Sequence, residues 1–119
     1  MIVNATQPDQ TTWVLALSGK LLFESRHAFQ DAITTAQQTS PRLIILDLTE
    51  LSHIDSAGLG LMAVVHKKLT PLDIVLTVVN PQKTVRDILL LTKMDVMYPL
   101  HDSVAEASRQ SKTTILPPR

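Results

Sequence analysis

A serine flanked by an aspartate and two glycines is the segment best suited to chemistry. Asp55 and Ser56 precede Gly58 and Gly60 at the start of a helix-like apolar stretch. A serine at this position can cap the helix, because its hydroxyl accepts a hydrogen bond from a free backbone N–H. The same hydroxyl could instead carry a phosphoryl group, which free N–H groups and the positive end of the helix dipole favour. A phosphate adds about −2 charges beside Asp55, which would switch a binding surface without refolding the domain.

The helix that follows Ser56 has one face for the core and one for a partner. At about 100° per residue, the positions predicted to face the sheet are Gly58, Leu59, Leu61, Met62, Val65 and Leu69. Ser56, Gly60, Val64 and Lys67 lie on the other side, where the missing side chain of Gly60 would let another backbone approach. The predicted partner-binding residues are Asp55, Ser56, Ala57, Gly58, Gly60, Val64 and Lys67. The alternative is that Gly60 is merely tolerated and Val64 is an ordinary exposed apolar residue.

Strand and helix patterns alternate along the chain and predict the frame that holds this segment. The predicted strands are Trp13–Ser18, Lys20–Phe23, Leu43–Leu48, Ile74–Val79 and a short Tyr98–Leu100. The predicted helices are one capped by Ser25 and ended by Pro41, Ala57–Leu69, one capped by Asn80, and one from Asp102 to Arg109. This order predicts a single α/β domain, with a mixed sheet of about four to five strands covered by about four helices. The domain is expected to span residues 1–109, and residues 110–119 to form a flexible tail.

Composition excludes several functional classes. Among 119 residues, 11 are basic and 11 are acidic, so the formal net charge is zero, which argues against a protein that grips nucleic acid or an anionic membrane. The absence of cysteine rules out disulfides, thiolate metal sites and a cysteine nucleophile. Aromatic residues make up 3%, too few for stacking platforms that bind bases. A protein partner is therefore the favoured kind of ligand.

No residue set predicts an enzyme, a metal site or a cofactor. The four histidines, which lack the clustered spacing of metal ligands, are His27, His53, His66 and His101. Ser56 is not in a nucleophile elbow, because Ile54 stands where that motif requires glycine. A phospho-aspartate receiver would need an acidic cluster at the end of its first strand, where this chain has Leu17-Ser18-Gly19.

Targeting signals are also lacking in the sequence. The N-terminal residues show no basic patch followed by an apolar run, so no signal peptide is predicted. The uncharged stretch in the middle of the chain, Ser56–Val65, is far shorter than the ~20 residues that cross a bilayer. A cytoplasmic protein without membrane insertion is therefore expected.

Asp55-Ser56-Ala57-Gly58-Leu59-Gly60 resembles the Asp-Ser-(Ser/Thr)-Gly-Leu-Gly signature of STAS domains, the anti-sigma factor antagonist family. The resemblance extends from about Trp13 to Ser103. Leu17–Leu21 is similar to the family's strand–glycine–strand opening, Leu43–Leu48 to its core strand, and Asn80–Met94 to its third helix and following turn. The resemblance implies a non-enzymatic partner-switching regulator of bacterial transcription.

In antagonists of this family the serine after the aspartate is phosphorylated by the anti-sigma factor, which is a serine kinase, and a serine phosphatase reverses the step. The resemblance therefore implies Ser56 as the phosphoacceptor, with the unphosphorylated protein binding the kinase. Two positions depart from the pattern: Leu22 replaces an aspartate, and Ala57 replaces a serine or threonine. The alternative is a constitutive STAS subunit of a larger assembly, such as a stressosome-like or lipid-transport complex. Weak self-association through Leu90 and Val64 is a further possibility.

Overall fold

The computed structural model describes the backbone of residues 1–115 and the side chains of residues 1–109. Its strands are β1 (Ile2–Asp9), β2 (Thr12–Leu21), β3 (Leu43–Ile54), β4 (Val75–Val79) and β5 (Leu100–His101). Its α-helices are α1 (Arg26–Gln37), α2 (Ser56–Leu69), α3 (Lys83–Leu91) and α4 (Val104–Ile115). Short 3-10 turns lie at Phe23–Ser25, Thr70–Leu72 and Met94–Val96.

Within the described residues, the five strands form one mixed sheet in the order β1-β2-β3-β4-β5. β1 runs antiparallel to β2, and the other neighbouring pairs are parallel. One buried cluster joins side chains of α1, α2 and α3 to Ile44 and Leu46 of β3. A second joins Ala107 of α4 to Leu43 and Ile45. Because successive strand residues point to opposite faces, α1–α3 cover one face and α4 covers the other, which confirms the predicted fold class.

The opening strands differ from the prediction. β1 was not predicted, and the two predicted strands Trp13–Ser18 and Lys20–Phe23 are largely one strand, β2. β1 is exposed along almost its whole length, so its sequence lacks the apolar alternation that marks a half-buried strand. Gly19 is not a turn: it has φ +100°, a conformation that glycine adopts readily, and the irregular pairing around it lets β2 continue.

Of the helix caps predicted at Asn80 and Ser25, the first is wrong and the second is found at the predicted residue. α3 begins at Lys83 with Gln82 as its N-cap, because Asn80 adopts the left-handed conformation with φ +53°. The Asn80 amide instead donates a hydrogen bond to Thr49 Oγ1 at 3.0 Å. Ser25 does occupy the N-cap of α1, but its hydroxyl makes no capping hydrogen bond and donates to the backbone oxygen of Lys20 at 2.7 Å.

The C-terminal part is shifted relative to the prediction. The last strand is Leu100–His101, and Tyr98, predicted to begin it, is fully buried in the core. α4 starts at Val104 and continues past Arg109 to Ile115. The predicted flexible tail therefore overlaps the helical backbone, and its last residues, 116–119, lie outside the described residues. The domain limit at residue 109 stays a prediction.

Candidate partner-binding site

β3 carries the chain further toward the candidate site than the sequence predicted. Residues 51–54, expected in a loop, continue β3 alongside β2, with Lys20 beside His53 and Leu21 beside Ile54. One residue later, the backbone N–H of Asp55 still donates to the oxygen of Leu21 at 3.3 Å. Asp55 therefore stands at the carboxyl end of β3 with extended backbone.

Asp55, and not Ser56, caps helix α2. Asp55 has φ −107° and ψ −178°, and its Oδ1 accepts a hydrogen bond from the N–H of Gly58 at 2.8 Å. This is the geometry in which an N-cap side chain satisfies a free donor of the first turn. The predicted capping role of Ser56 is therefore wrong, because the ladder with β2 holds Asp55 extended and moves the cap one residue earlier. Ser56 is the first helical residue and is exposed.

Gly58 belongs to the packing of the domain and not to its surface. It is buried, and a Cβ added there would lie 2.4 Å from the backbone oxygen of Leu21 and 3.0 Å from Cγ1 of Ile54. The first turn of α2 can thus rest directly on the end of β2 because residue 58 has no side chain. Gly58 therefore does not face solvent, unlike Ser56 and Gly60 on the same helix.

The exposed face of α2 matches the helical-wheel prediction. Ser56, Gly60, Val64 and Lys67 are all exposed, and the Val64 side chain reaches 59% exposure. A Cβ added at Gly60 would meet nothing within 4 Å. Ala57 lies beside this face and is exposed as well. We call Ser56, Gly60, Val64 and Lys67 the switch face; their role in binding a partner remains a prediction.

The parallel pairing of β2 and β3 brings further polar groups near Ser56. Lys20 and His53 are neighbours in register and both are exposed. The Ser52 hydroxyl donates to the backbone oxygen of Gly19 at 3.0 Å, and its oxygen lies 2.8 Å from Nδ1 of His53. Sequence reasoning did not link these residues to the site, because 33 positions separate Gly19 from Ser52. They place a lysine and a histidine at the strand ends that lead into the site.

The turn after β2 adds an aromatic side chain near the same end of the sheet. Leu22, which stands where the resembling family has an aspartate, is half-buried. Phe23 is 56% exposed, and the Arg26 guanidinium lies 3.9 Å from the centre of its ring. The position of the family's aspartate is therefore apolar in this chain, and an exposed aromatic side chain with a cation over its ring follows it.

Tyr98 supports α2 from the core. Its hydroxyl donates a hydrogen bond to the backbone oxygen of Met62 at 2.8 Å, and its ring lies 5.8 Å from that of His66. Burial raises the pKa of the Tyr98 phenol, because the charged phenolate would lose its hydration. The position of the switch face is thus fixed by the sheet beneath it and by a buried hydrogen bond near the middle of the helix.

The described part of the chain offers few features of other kinds of site. In residues 1–109, no three His, Asp or Glu side chains come together as metal ligands would. No helix in the described part of the chain has the length and hydropathy needed to cross a membrane. A groove of about 580 Å³ includes Leu72, Ile74 and Val96 in its lining, at the end of the parallel strands opposite Ser56.

Comparison with known proteins agrees with the fold and with the signature. The family model for the STAS domain matches residues 3–107. An anti-sigma factor antagonist from Mycobacterium paratuberculosis superimposes with a TM-score of 0.82 at 23% identity, covering 93% of each chain. The phosphorylated form of the Bacillus cell fate determinant SpoIIAA gives a TM-score of 0.69 at 23% identity, covering 92% of this chain and 97% of SpoIIAA.

A transporter-related protein has a similar structure as well. A sulfate transporter family protein from Wolinella succinogenes gives a TM-score of 0.74 at 13% identity, covering 90% of this chain and 89% of that protein. At such identities these likenesses establish the fold, whereas the family model establishes the family.

Proposed function

The chain belongs to the STAS family, and on that premise we propose that it is a partner-switching regulator of the anti-sigma factor antagonist type. In this proposal the unphosphorylated domain binds a serine-kinase anti-sigma factor in the cytoplasm. The kinase phosphorylates Ser56 and the complex dissociates. A serine phosphatase then removes the phosphate and restores binding. The domain itself acts by binding and has no catalytic role.

The observation that supports the proposal is that Asp55, and not Ser56, caps α2. Asp55 Oδ1 caps the helix by accepting from Gly58 N–H, so the hydroxyl of Ser56 is not needed to hold α2. That hydroxyl lies exposed on the first turn of the helix, where a kinase can reach it. Modification of Ser56 can thus proceed without removing a hydrogen bond that stabilises the fold.

A phosphate on Ser56 would act on binding through charge and hydration. It adds about −2 charges next to the Asp55 carboxylate and on the same helix face as Gly60 and Val64. A partner that packs closely on Gly60 and covers Val64 would have to remove water from this dianion, which costs free energy unless the partner supplies matching cations. The phosphorylated form should therefore bind much more weakly than the unmodified form.

The proposal is tested with the purified chain and a serine-kinase anti-sigma factor of the same organism. Calorimetry would compare wild type, Ser56→Ala and Ser56→Asp, and phosphopeptide mass spectrometry after incubation with ATP and Mg²⁺ would locate the modified residue. Ser103→Asp is a matched control, because Ser103 is exposed, accepts from the N–H of Glu106 at 3.1 Å, and aspartate caps helices as well as serine does.

We expect Ser56→Ala and Ser103→Asp to bind like wild type and Ser56→Asp to lose binding. Phosphate should appear on Ser56 in wild type and be missing from Ser56→Ala. Equal binding of the kinase by Ser56→Ala and Ser56→Asp would contradict the proposal.

A second candidate function is a constitutive STAS subunit of a larger assembly, in which Ser56 is never modified. The similarity to a sulfate transporter family protein and the replacement of the family's aspartate by Leu22 favour it. In that case Ser56→Asp would leave partner binding unchanged. Phosphopeptide analysis of the protein purified from its own cells would then show Ser56 unmodified under all growth conditions.

A further inference from the structure

The free edge of the sheet is a second surface with the features of a binding site. β1 (Ile2–Asp9) pairs with β2 along one side, and within the described residues no strand pairs with its other side. An edge strand presents unpaired backbone N–H and C=O groups that can hydrogen-bond to an added strand. Residues 2–7 contain no charged side chain, although lysines or other charges commonly protect such edges.

A trough lies beside this edge, between β1 and α1. Its volume is about 360 Å³. It is lined by Val3, Ala5, Trp13, Ala28, Asp31, Ala32, Thr35 and Ala36. Most of these side chains are small, so α1 leaves open space next to the edge of the sheet. A strand added to β1 would direct every second side chain into this trough, which is how strand addition combines backbone bonding with side-chain pockets.

We propose that the β1 edge and this trough form a self-association surface, in which β1 pairs antiparallel with β1 of a second copy. Antiparallel pairing of a strand with itself obeys two-fold symmetry, so each copy would contribute the same residues to the contact. The two sheets would join into one continuous sheet across the pair. The two α1 helices would then face each other over the new strand pair.

Charge and side-chain size support a second copy as the occupant. Self-pairing brings identical residues near one another, and residues 2–7 contribute no like charges to that contact. Among the residues that line the trough, Asp31 alone is charged, and it is exposed on α1. The chain has zero formal net charge, so copies do not repel one another at long range. Helix axes pack about 8–10 Å apart, closest where side chains are small, and Ala28 and Ala32 supply such side chains on α1.

The surface is small and separate from the switch face. One strand pair with two facing helices buries less than the roughly 1,200–2,000 Å² of a standard stable interface. We therefore expect weak association, with a dissociation constant of about 1 μM to 1 mM. None of the trough residues belongs to the switch face, so the pair leaves both Ser56 side chains accessible. This inference does not depend on the proposed phosphorylation.

Adjacent threonines on α1 provide a matched test. Thr35 lines the trough and Thr34 does not, and both are exposed. Sedimentation equilibrium of the full chain over a concentration series would compare wild type, Thr35→Glu, Thr34→Glu and Ala5→Glu. Circular dichroism and thermal unfolding would confirm that each variant folds. Ser56→Asp tests independence from the switch.

We expect wild type, Thr34→Glu and Ser56→Asp to show the same monomer–dimer equilibrium. Thr35→Glu and Ala5→Glu should raise the dissociation constant by about tenfold or more, because each places a charge near its own copy in the contact. Amide hydrogen exchange should slow within β1 as wild-type concentration increases. A wild-type chain that stays monomeric up to its solubility limit, or a dimer equally weakened by Thr34→Glu and Thr35→Glu, would overturn the inference. A dimer that is disrupted only by substitutions at Leu90 or Val64 would also overturn the inference.

Discussion

The two glycines of α2 should respond in opposite ways to the same substitution. Gly58→Ala adds a methyl group 2.4 Å from the backbone oxygen of Leu21, and a carbonyl in a sheet cannot rotate away as a flexible side chain could. Gly60→Ala adds a methyl group to a position with no neighbour within 4 Å. Both glycines lie in the same helix, so the comparison separates packing from helix propensity.

The expected magnitudes follow from these distances. Replacing glycine by alanine in a helix stabilises by about 1 kcal/mol, and this gain applies at both positions. Overpacking costs about 1–3 kcal/mol, and the upper part of that range applies at Gly58 because the closest atom belongs to the backbone. Gly58→Ala should therefore lower the free energy of unfolding by roughly 1–2 kcal/mol, whereas Gly60→Ala should raise it by about 1 kcal/mol.

Urea unfolding followed by tryptophan fluorescence measures both changes. The chain has a single tryptophan, and Trp13 is half-buried with its Nε1 donating to Thr39 Oγ1 at 2.8 Å. Its emission should change when the fold opens. Equal stability of the two variants, or a Gly60→Ala variant less stable than wild type, would refute the reasoning. If a partner backbone packs on the switch face, Gly60→Ala should also bind that partner less tightly despite its greater stability.

Two further predictions concern the cap and the buried tyrosine. Asp55→Ala should lower the free energy of unfolding by about 1 kcal/mol, because the helix loses its cap. Ser56→Ala should change the free energy of unfolding by less than about 0.5 kcal/mol. If urea unfolding showed the larger loss for Ser56→Ala, Ser56 and not Asp55 would be the cap. Burial raises the pKa of Tyr98 above its ordinary value of 10.0, so the tyrosine's contribution to stability is complete below that pH and is lost as the pH rises, because the unfolded chain ionises first. Tyr98→Phe should lower the free energy of unfolding by about 1 kcal/mol, because the hydrogen bond to Met62 is lost. The variant should also lose less stability than wild type at alkaline pH, because it has no phenol to ionise. Since Tyr98 is the single tyrosine, phenolate absorbance of the folded protein titrating at the ordinary pKa would contradict the prediction.

The sequence alone was sufficient for the local features of the site. The faces of α2 were predicted correctly, because the spacing of its apolar residues reflects which side of the helix is buried. The α/β order was also predictable, since Leu43–Leu48 forms a buried apolar run and helical patterns flank it. The exposure of Ser56 follows from the same periodicity.

The tertiary structure decided the features that depend on distant pairing. β1 buries too little apolar surface to show the sequence pattern of a strand, so only its pairing with β2 identifies it as one. The cap of α2 is Asp55 and not the predicted Ser56, because the hydrogen bond from Asp55 to Leu21 keeps the backbone extended for one more residue. Periodicity records what a segment buries, whereas register between strands is set by backbone hydrogen bonds across the whole sheet. That difference is why the switch face could be predicted from sequence, while the free serine hydroxyl and the open sheet edge required the fold.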